Sequence, residues 1–333
     1  MSLTVTAVLL LALAGAEPPA GVDAALEIYA RPQHLVRLPD GRRMNLHCTG
    51  AGAPTVVFEG GWTTPTAGWR KVQPDVARLT RACSYDRAGY GFSDPGPLSR
   101  TAGAEADDLR ALLRASGERG PYVLVAHSMG GLVARLFVDR NRRDVAGLVL
   151  VDPSSPRQDA RLAAVSAKAG ETNALFESGF KACARKAMEG AGPDPATLRD
   201  CVDPPASGLP ASVNTARRAS QLTPAYQRTA LSELESMGVA SSAEVDRSRR
   251  SWGRLPLVVL TAERTTDDPR LPADERAALA RVWSDMHQEA ADLSSTGRRR
   301  MLAGASHMVP SQRPEAVVEA VREVVEEVRG RSR

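Results

Sequence analysis

The stretch Tyr122–Asp139, which reads YVLVAHSMGGLVARLFVD, decides the fold of this chain. Val123–Val125 is a short continuous apolar run, a pattern typical of a strand that is buried on both faces of a parallel sheet. A helical pattern follows at once, because apolar residues recur at intervals of three and four and form one stripe. These residues are Met129, Leu132, Val133, Leu136 and Phe137. Ser128 stands in the turn between the predicted strand and the predicted helix.

The two glycines after this turn, Gly130 and Gly131, bear on what Ser128 can do. Without a Cβ they allow the helix to start close against the strand, so that a tight turn lifts the Ser128 hydroxyl clear of the sheet. A nucleophilic serine needs such a position. The alternative interpretation is an ordinary turn in which Ser128 caps the helix, since serine is a favoured N-cap residue.

The turn resembles the nucleophile elbow of the α/β-hydrolase family, written Gly-x-Ser-x-Gly. Residues 126–130 read AHSMG, so that alanine, the smallest possible intrusion, replaces the first glycine. Residues 86–94, DRAGYGFSD, resemble the Asp-Arg-x-Gly-x-Gly-x-Ser run that follows the fourth strand in many members. The resemblance covers residues 34–152 and 253–330, and we assign the DRAGYGFSD run a structural role.

Alternating strand and helix patterns predict an α/β protein with a mostly parallel sheet covered on both faces. Strand patterns occur at 34–38, 43–48, 55–58, 82–85, 123–125, 145–151, 255–261 and 300–303, and helical patterns at 104–116, 129–140, 273–293 and from 314 onward. Between the sixth and seventh strands the pattern is helical, at 161–168, 171–188, 195–200 and 226–236. A structureless loop of this length would be unusual. We therefore expect the α/β-hydrolase fold, with an eight-stranded core in residues 22–152 and 253–333 and an inserted helical cap in residues 153–252.

The length of 333 residues suits one large α/β domain with an inserted subdomain. Hydrophobic residues make up 43% and charged residues 25%, as in ordinary globular proteins. The formal net charge is +4, but the basic residues are scattered along the chain. The sequence therefore gives no support to nucleic-acid binding.

Residues 1–16 form an apolar segment that ends in the small-x-small pattern Ala14-Gly15-Ala16. This pattern predicts a cleaved signal peptide, a secreted or periplasmic location, and no stable membrane anchor after cleavage. A frayed N-terminus or a retained anchor are the alternatives. The even count of four cysteines fits an oxidising compartment.

The resemblance also implies how the cysteines pair. In the strand order of the family the second strand is antiparallel to the fourth, so the end of one lies beside the start of the other. Cys48 is near the end of the second strand and Cys83 is near the start of the fourth. Of three possible pairings, we therefore predict Cys48–Cys83 in the core and Cys183–Cys201 in the cap.

A nucleophilic serine requires a base, because its hydroxyl is a weak nucleophile until its proton is removed. His307 lies between the last strand and the last helix, where the family places its base. The other histidines are interpreted as structural: His34, His47, His127 and His287. The resemblance further implies an oxyanion hole, formed by the N–H groups of Met129 and of Trp62, which follows the Gly60-Gly61 turn.

The acid of the predicted triad has two candidate positions in the family. The commoner one follows the seventh strand, but Thr265 stands there, and Asp267 and Asp268 come slightly later. The other is the end of the sixth strand, where Asp152 directly follows Val151. We favour Asp152, although an aspartate at the end of this strand is common in the family without catalytic duty.

These residues predict a serine hydrolase that cleaves small-molecule carboxylic esters through an acyl-enzyme, with no cofactor or metal. Haloalkane dehalogenases and epoxide hydrolases of the same fold use an aspartate at the elbow, and Ser128 argues against both. A peptidase or amidase, or a cofactor-free haloperoxidase-like enzyme, would use the same triad. A non-catalytic binding protein on a hydrolase scaffold is a further alternative.

Overall fold

The computed structural model of the protein describes residues 24–188, 201–248 and 251–331. Its strands are β1 Leu35–Arg37, β2 Arg43–Thr49, β3 Thr55–Glu59, β4 Ala82–Tyr85, β5 Tyr122–His127, β6 Val145–Val151, β7 Leu257–Ala262 and β8 Gly297–Leu302. They form one eight-stranded sheet in the order β1-β2-β4-β3-β5-β6-β7-β8. β2 is antiparallel to β1 and to β4, and the other neighbouring strands are parallel. The predicted fold is confirmed.

The described helices follow the strands in the expected alternation. They are α1 Gln73–Ala77, α2 Ala102–Ser116, α3 Gly130–Arg140, α4 Gln158–Ala163, α5 Ala167–Met188, α6 Ala211–Gln221, α7 Pro224–Ser236, α8 Ser242–Asp246, α9 Ala273–Ala291, α10 Val309–Gln312 and α11 Pro314–Arg331. Short 3₁₀ segments occur at Ala24–Ala30 and Thr66–Trp69, and a π-helical turn at Met237–Ser241 joins α7 to α8. Among the described residues, no helix is both long enough and apolar enough to cross a lipid bilayer.

Two apolar cores lie on opposite faces of the sheet. On one face α2 and α3 pack on the central strands, and every residue of the predicted α3 stripe is buried. On the other face α1 and α11 cover the same strands, and the valines of α11 are buried. All six residues of β5 are buried, as expected for a strand that is covered on both sides.

The segment between β6 and β7 carries helices α4 to α8 and no strand in its described part. The predicted single helix over 161–168 is wrong, because α4 ends at Ala163 and α5 begins at Ala167. The Ser166 hydroxyl accepts a hydrogen bond from the Ala169 N–H and so starts a new helix there. Helix α6 was not predicted, since it has few apolar residues to give it a stripe. The predicted helix over 195–200 and the predicted signal peptide over 1–16 lie outside the described residues.

Both predicted disulfides are present. Cys48 and Cys83 are paired partners on β2 and β4, and their sulfur atoms are bonded across the two strands. Cys183 of α5 is bonded to Cys201, 18 residues further along the chain.

Candidate active site

Ser128 lies in the turn between β5 and α3, with its backbone in the left-handed region at a φ of 55°. This conformation is unfavourable for a residue with a Cβ and persists only where the surroundings fix it. The Ser128 N–H donates to the carbonyl of Val151 at 3.2 Å. Its own carbonyl accepts from the N–H groups of Gly131 and Ser154, both at 2.8 Å. The turn thus holds the half-buried side chain of Ser128 at the carboxyl end of β5.

The glycines after Ser128 are required by close packing. A Cβ on Gly130 would lie 2.6 Å from the carbonyl oxygen of Gly60, and a Cβ on Gly131 would lie 2.6 Å from Cβ of Pro153. Both distances are shorter than van der Waals contact. Only glycine therefore allows the start of α3 to pack this closely on the residues that follow β3 and β6.

His307 joins Ser128 to Asp152. Its Nδ1 lies 2.6 Å from Asp152 Oδ2, and its Nε2 lies 2.8 Å from Ser128 Oγ. Because a carboxylate only accepts, the imidazole proton belongs on Nδ1, which leaves Nε2 to accept the hydrogen bond of the serine hydroxyl. The three side chains that the sequence nominated thus form one continuous hydrogen-bonded chain.

Asp152 is fully buried at the end of β6 and also has a left-handed backbone, with a φ of 43°. Besides His307, its carboxylate accepts from the Thr265 hydroxyl at 2.6 Å, from Trp283 Nε1 at 2.9 Å and from the Ala262 N–H at 2.9 Å. Burial acts to raise the pKa of Asp152, but the hydrogen bond and charge of His307, with smaller contributions from His287 and Thr265, hold that pKa below its usual value. The site therefore favours an ionised carboxylate.

Asp267 and Asp268, the alternative acids, point to other partners. Asp267 Oδ1 lies 3.0 Å from Arg276 Nη1, and Asp268 forms a close ion pair with Arg270. Neither carboxylate is hydrogen bonded to His307. Of the three candidate aspartates, the structure brings only Asp152 to the histidine.

His127, which the sequence analysis interpreted as structural, supports the loop that carries His307. Its Nε2–H donates to the carbonyl of His307 at 2.8 Å, and the two rings lie 4.8 Å apart. Burial, together with the neighbouring His307, lowers the pKa of His127 to about 4. His127 is consequently a neutral donor around pH 7.

The Gly60-Gly61 turn lies directly against the serine. A Cβ on Gly61 would come within 2.9 Å of His127 Nδ1 and within 3.1 Å of Ser128 Cβ. The following residue, Trp62, lines the same cleft as Ser128, and its indole Nε1–H donates to the carbonyl of Ala230 in α7 at 2.9 Å. Met129 follows Ser128 at the start of α3 and is buried. The two residues predicted to supply the oxyanion hole thus come from separate segments, the turn after β3 and the start of α3.

Arg87, from the DRAGYGFSD run, holds the Gly60-Gly61 turn through hydrogen bonds to its backbone. Its guanidinium is buried and donates to the carbonyls of Gly60 and Gly61 at 2.7 and 2.9 Å. It also pairs with Glu59 at 2.9 Å and with both carboxylate oxygens of Glu233 in α7, at 3.0 and 3.1 Å. One arginine therefore ties the glycine turn of the core to a helix of the inserted segment.

Two cavities meet at Trp62. One is a cleft of about 540 Å³ whose lining includes Ser128 and His307. The other, of about 760 Å³, lies against α5, with Phe180 and Tyr226 in its wall. Trp62 lines both, and its ring packs edge-on against Phe180 with centroids 4.4 Å apart. Ser128 lines only the first of these cavities, and Trp62 lies between it and the second.

Among the described residues, potential metal ligands converge at Cys48, Cys83 and Glu118. The two sulfur atoms are bonded to each other, and Glu118 pairs with Arg81 at 2.6 Å. The sulfur atoms and the carboxylate of this group are therefore already bonded within the protein, and we assign no metal site to them.

Sequence reasoning missed several residues that support the site. The hydrogen-bond partners of Asp152 and Arg87 lie far away in the sequence. Thr265 and Trp283 are 113 and 131 residues from Asp152, and Glu233 is 146 residues from Arg87. No local sequence pattern indicates these contacts. Arg87 belongs to the DRAGYGFSD run, but its contacts to the Gly60-Gly61 turn could not be predicted from the sequence.

The chain belongs to the alpha/beta hydrolase family, whose model matches residues 46–320. The chain is 35% identical over 108 residues to the uncharacterized protein YqjL of Bacillus subtilis, a match that covers 32% of this chain and 43% of that protein. It thus matches less than half of that relative's length. An AB hydrolase superfamily protein of Gibberella zeae is 26% identical over 299 residues, which cover 83% of this chain and 87% of the relative.

A solved structure with a similar fold is the haloalkane dehalogenase DbeA from Bradyrhizobium elkani. The TM-score is 0.64 at 19% identity, and the match covers 90% of this chain and 98% of that chain. At this level of identity the likeness shows the fold alone. Together with the family match it places the chain among hydrolase-fold proteins.

Proposed function

We propose that the protein is a serine hydrolase that cleaves carboxylic esters through an acyl-enzyme. The observation that carries the proposal is the hydrogen-bonded chain from Ser128 Oγ to His307 Nε2, at 2.8 Å, and from His307 Nδ1 to Asp152, at 2.6 Å. These separations are within reach for proton transfer, and each group has the partner that its role requires.

In the proposed reaction Ser128 Oγ attacks the ester carbonyl carbon while His307 Nε2 takes the hydroxyl proton. The N–H groups of Trp62 and Met129 hold the oxyanion of the tetrahedral intermediate. His307 returns its proton to the departing alkoxide, which leaves as the alcohol, and the acyl group stays on Ser128. Water then attacks the acyl carbonyl carbon while His307 takes its proton. The bond between the acyl group and Ser128 Oγ breaks, His307 returns the proton to Oγ, and the acid leaves. Asp152 stabilises the imidazolium in both halves.

The identity of the nucleophile distinguishes the proposed ester hydrolysis from haloalkane dehalogenation, the activity named for the solved structure with a similar fold. Enzymes of that class, and epoxide hydrolases, attack with an aspartate at the elbow, whereas Ser128 stands there in this chain. Peptidase or amidase activity and haloperoxidase-like activity use the same triad and are the competing enzymatic proposals. The cleft that contains Ser128 and His307 would hold the ester group, and the cavity on the other side of Trp62 offers further space for one part of the substrate.

The proposal is tested with p-nitrophenyl esters of increasing acyl length. We expect the wild type to release p-nitrophenol in a manner that saturates with substrate, and Ser128→Ala to reduce the rate to background. Parallel assays with p-nitroanilides and with a halogenation substrate test the two competing activities. Turnover of an anilide at a rate equal to that of the matched ester, or ester turnover that survives Ser128→Ala, would overturn the proposal.

We further propose that the protein acts outside the cytoplasm. Two disulfides support this proposal, because such bonds persist in oxidising compartments. N-terminal sequencing of the mature protein should begin at Glu17 if the predicted signal peptide is cleaved after Ala16.

A further inference from the structure

Two arginines line the cleft that holds Ser128 and His307. Arg70 follows the Thr66–Trp69 turn in the core, and Arg217 lies on α6 of the inserted segment. Both side chains are partly buried. Burial lowers the pKa of Arg70, and the positive charge of Arg217 lowers it further against a smaller opposing effect of Tyr29. Two like charges that share one cleft repel each other unless an anion lies between or beside them.

The described residues compensate these charges only in part. Arg217 donates to Asp203 at 3.3 Å and to Asn214 at 3.2 Å, and Asp203 is itself mostly exposed. Arg70 donates to the carbonyl of Ala67 at 3.2 Å and forms no ion pair with a described carboxylate. Apart from the histidines, the charged lining of the cleft is two arginines and one aspartate. The cleft therefore has an excess of positive charge.

We propose that Arg70 and Arg217 bind a carboxylate group of the substrate, so that the preferred substrates are esters which carry a negative charge. This inference rests on the proposed function and adds a substrate class to it. A planar guanidinium presents parallel N–H donors that match the two oxygens of a carboxylate. One arginine belongs to the core and the other to the inserted segment, so a carboxylate bound by both would join these two parts of the protein.

The test compares pairs of esters of equal chain length in which a terminal carboxylate replaces a terminal methyl group. One pair places the carboxylate in the acyl part: p-nitrophenyl hydrogen glutarate against p-nitrophenyl pentanoate. The other places it in the alcohol part: the butyryl ester of 4-hydroxybutyrate against butyl butyrate, followed by titration of released acid. We expect kcat/KM to favour the charged member of one pair about tenfold or more, as charge-assisted hydrogen bonds allow.

Arg70→Gln and Arg217→Gln should bring this ratio close to one. The ratio is measured within each variant, so it is independent of changes in general activity. The matched control is Arg218→Gln, a neighbouring exposed arginine of α6 that does not line the cleft, and it should keep the wild-type ratio. No preference in either pair would overturn the proposal, as would a preference that survives in Arg70→Gln or falls equally in Arg218→Gln.

A second measurement needs no variant. Glutarate should inhibit hydrolysis of the neutral ester about tenfold more strongly than glutaramide, and added salt should weaken this inhibition. Equal inhibition by the two compounds would contradict the proposal. Failure of the underlying hydrolase proposal would look different, because the wild type would then hydrolyse none of the four esters.

Discussion

The Thr265 hydroxyl donates a hydrogen bond to Asp152 Oδ2 at 2.6 Å. Thr265 follows β7, at the position where the resemblance to α/β-hydrolases most often puts the acid, and Asp152 ends β6. The residue at the usual position thus supports a carboxylate supplied from the neighbouring strand. This arrangement makes the choice between the two aspartate positions testable.

Asp152→Asn should lower kcat by about 10⁴-fold, on the scale known for loss of a triad acid, because an amide would favour the wrong tautomer of His307. The fold should be retained, since asparagine has nearly the same shape. Asp267→Asn is the matched control and should remain close to the wild type in ester hydrolysis. If Asp267→Asn were inactive and Asp152→Asn remained active, Asp267 and not Asp152 would be the acid of the triad.

Gly61→Ala should reduce kcat/KM by about 100-fold or more, because small displacements of reacting groups have effects of that size. The added Cβ would lie 2.9 Å from His127 Nδ1 and 3.1 Å from Ser128 Cβ, so the turn that carries Trp62 must move. Gly330→Ala adds a Cβ with no atom within 4 Å and should leave the kinetics unchanged. Wild-type kinetics for Gly61→Ala would show that the turn takes no part in the reaction.

Arg87→Met should lower the free energy of unfolding by about 3–5 kcal/mol, because it leaves the buried carboxylates of Glu59 and Glu233 without this positive charge. Urea denaturation measures the loss. Arg43→Met, which breaks the exposed pair with Asp94, is the control and should shift the midpoint little. Equal shifts for the two variants would contradict a central role of Arg87 in tying the inserted segment to the core.

Stability should fall on acidification because of His127. Its pKa is about 4 in the folded protein and about 6.5 in an unfolded chain, so the unfolded state binds more protons between these values. The neutral ring therefore contributes stability that is complete above pH 6.5 and is lost as the pH falls towards 4. At pH 5 the loss is on the order of 2 kcal/mol.

His127→Gln tests this pH dependence, since its amide can still donate to the carbonyl of His307 but does not titrate. Thermal unfolding from pH 4 to pH 7 should show a shallower decline for the variant than for the wild type. Parallel declines for the two proteins would show that other groups cause the acid sensitivity.

The sequence predicted those parts of the molecule that local pattern determines. The buried run Val123–Val125 and the stripe on α3 identified the centre of the sheet, and the loop position of His307 followed from the resemblance. The Cys48–Cys83 bond followed from the order of strands. In each case either neighbouring residues or a known strand order carry the information.

The remaining features depend on contacts between distant parts of the chain. Trp283 and Thr265 reach Asp152 only after β6, β7 and α9 have packed together, and Glu233 meets Arg87 only through the inserted segment. Val213 is the only large apolar residue of helix α6, so the sequence pattern did not indicate this helix or the cleft position of Arg217. Side-chain partners at such separations cannot be obtained from periodicity.

The most direct test of the central claim is labelling with a fluorophosphonate, which reacts with a serine activated by a neighbouring base. We predict one adduct, on Ser128 within the tryptic peptide 120–135, that is absent in Ser128→Ala and strongly slowed in His307→Ala. Peptide mass spectrometry after labelling locates the adduct. No adduct in the folded wild type, or an adduct that remains in Ser128→Ala, would contradict the account of Ser128 as a nucleophile activated by His307.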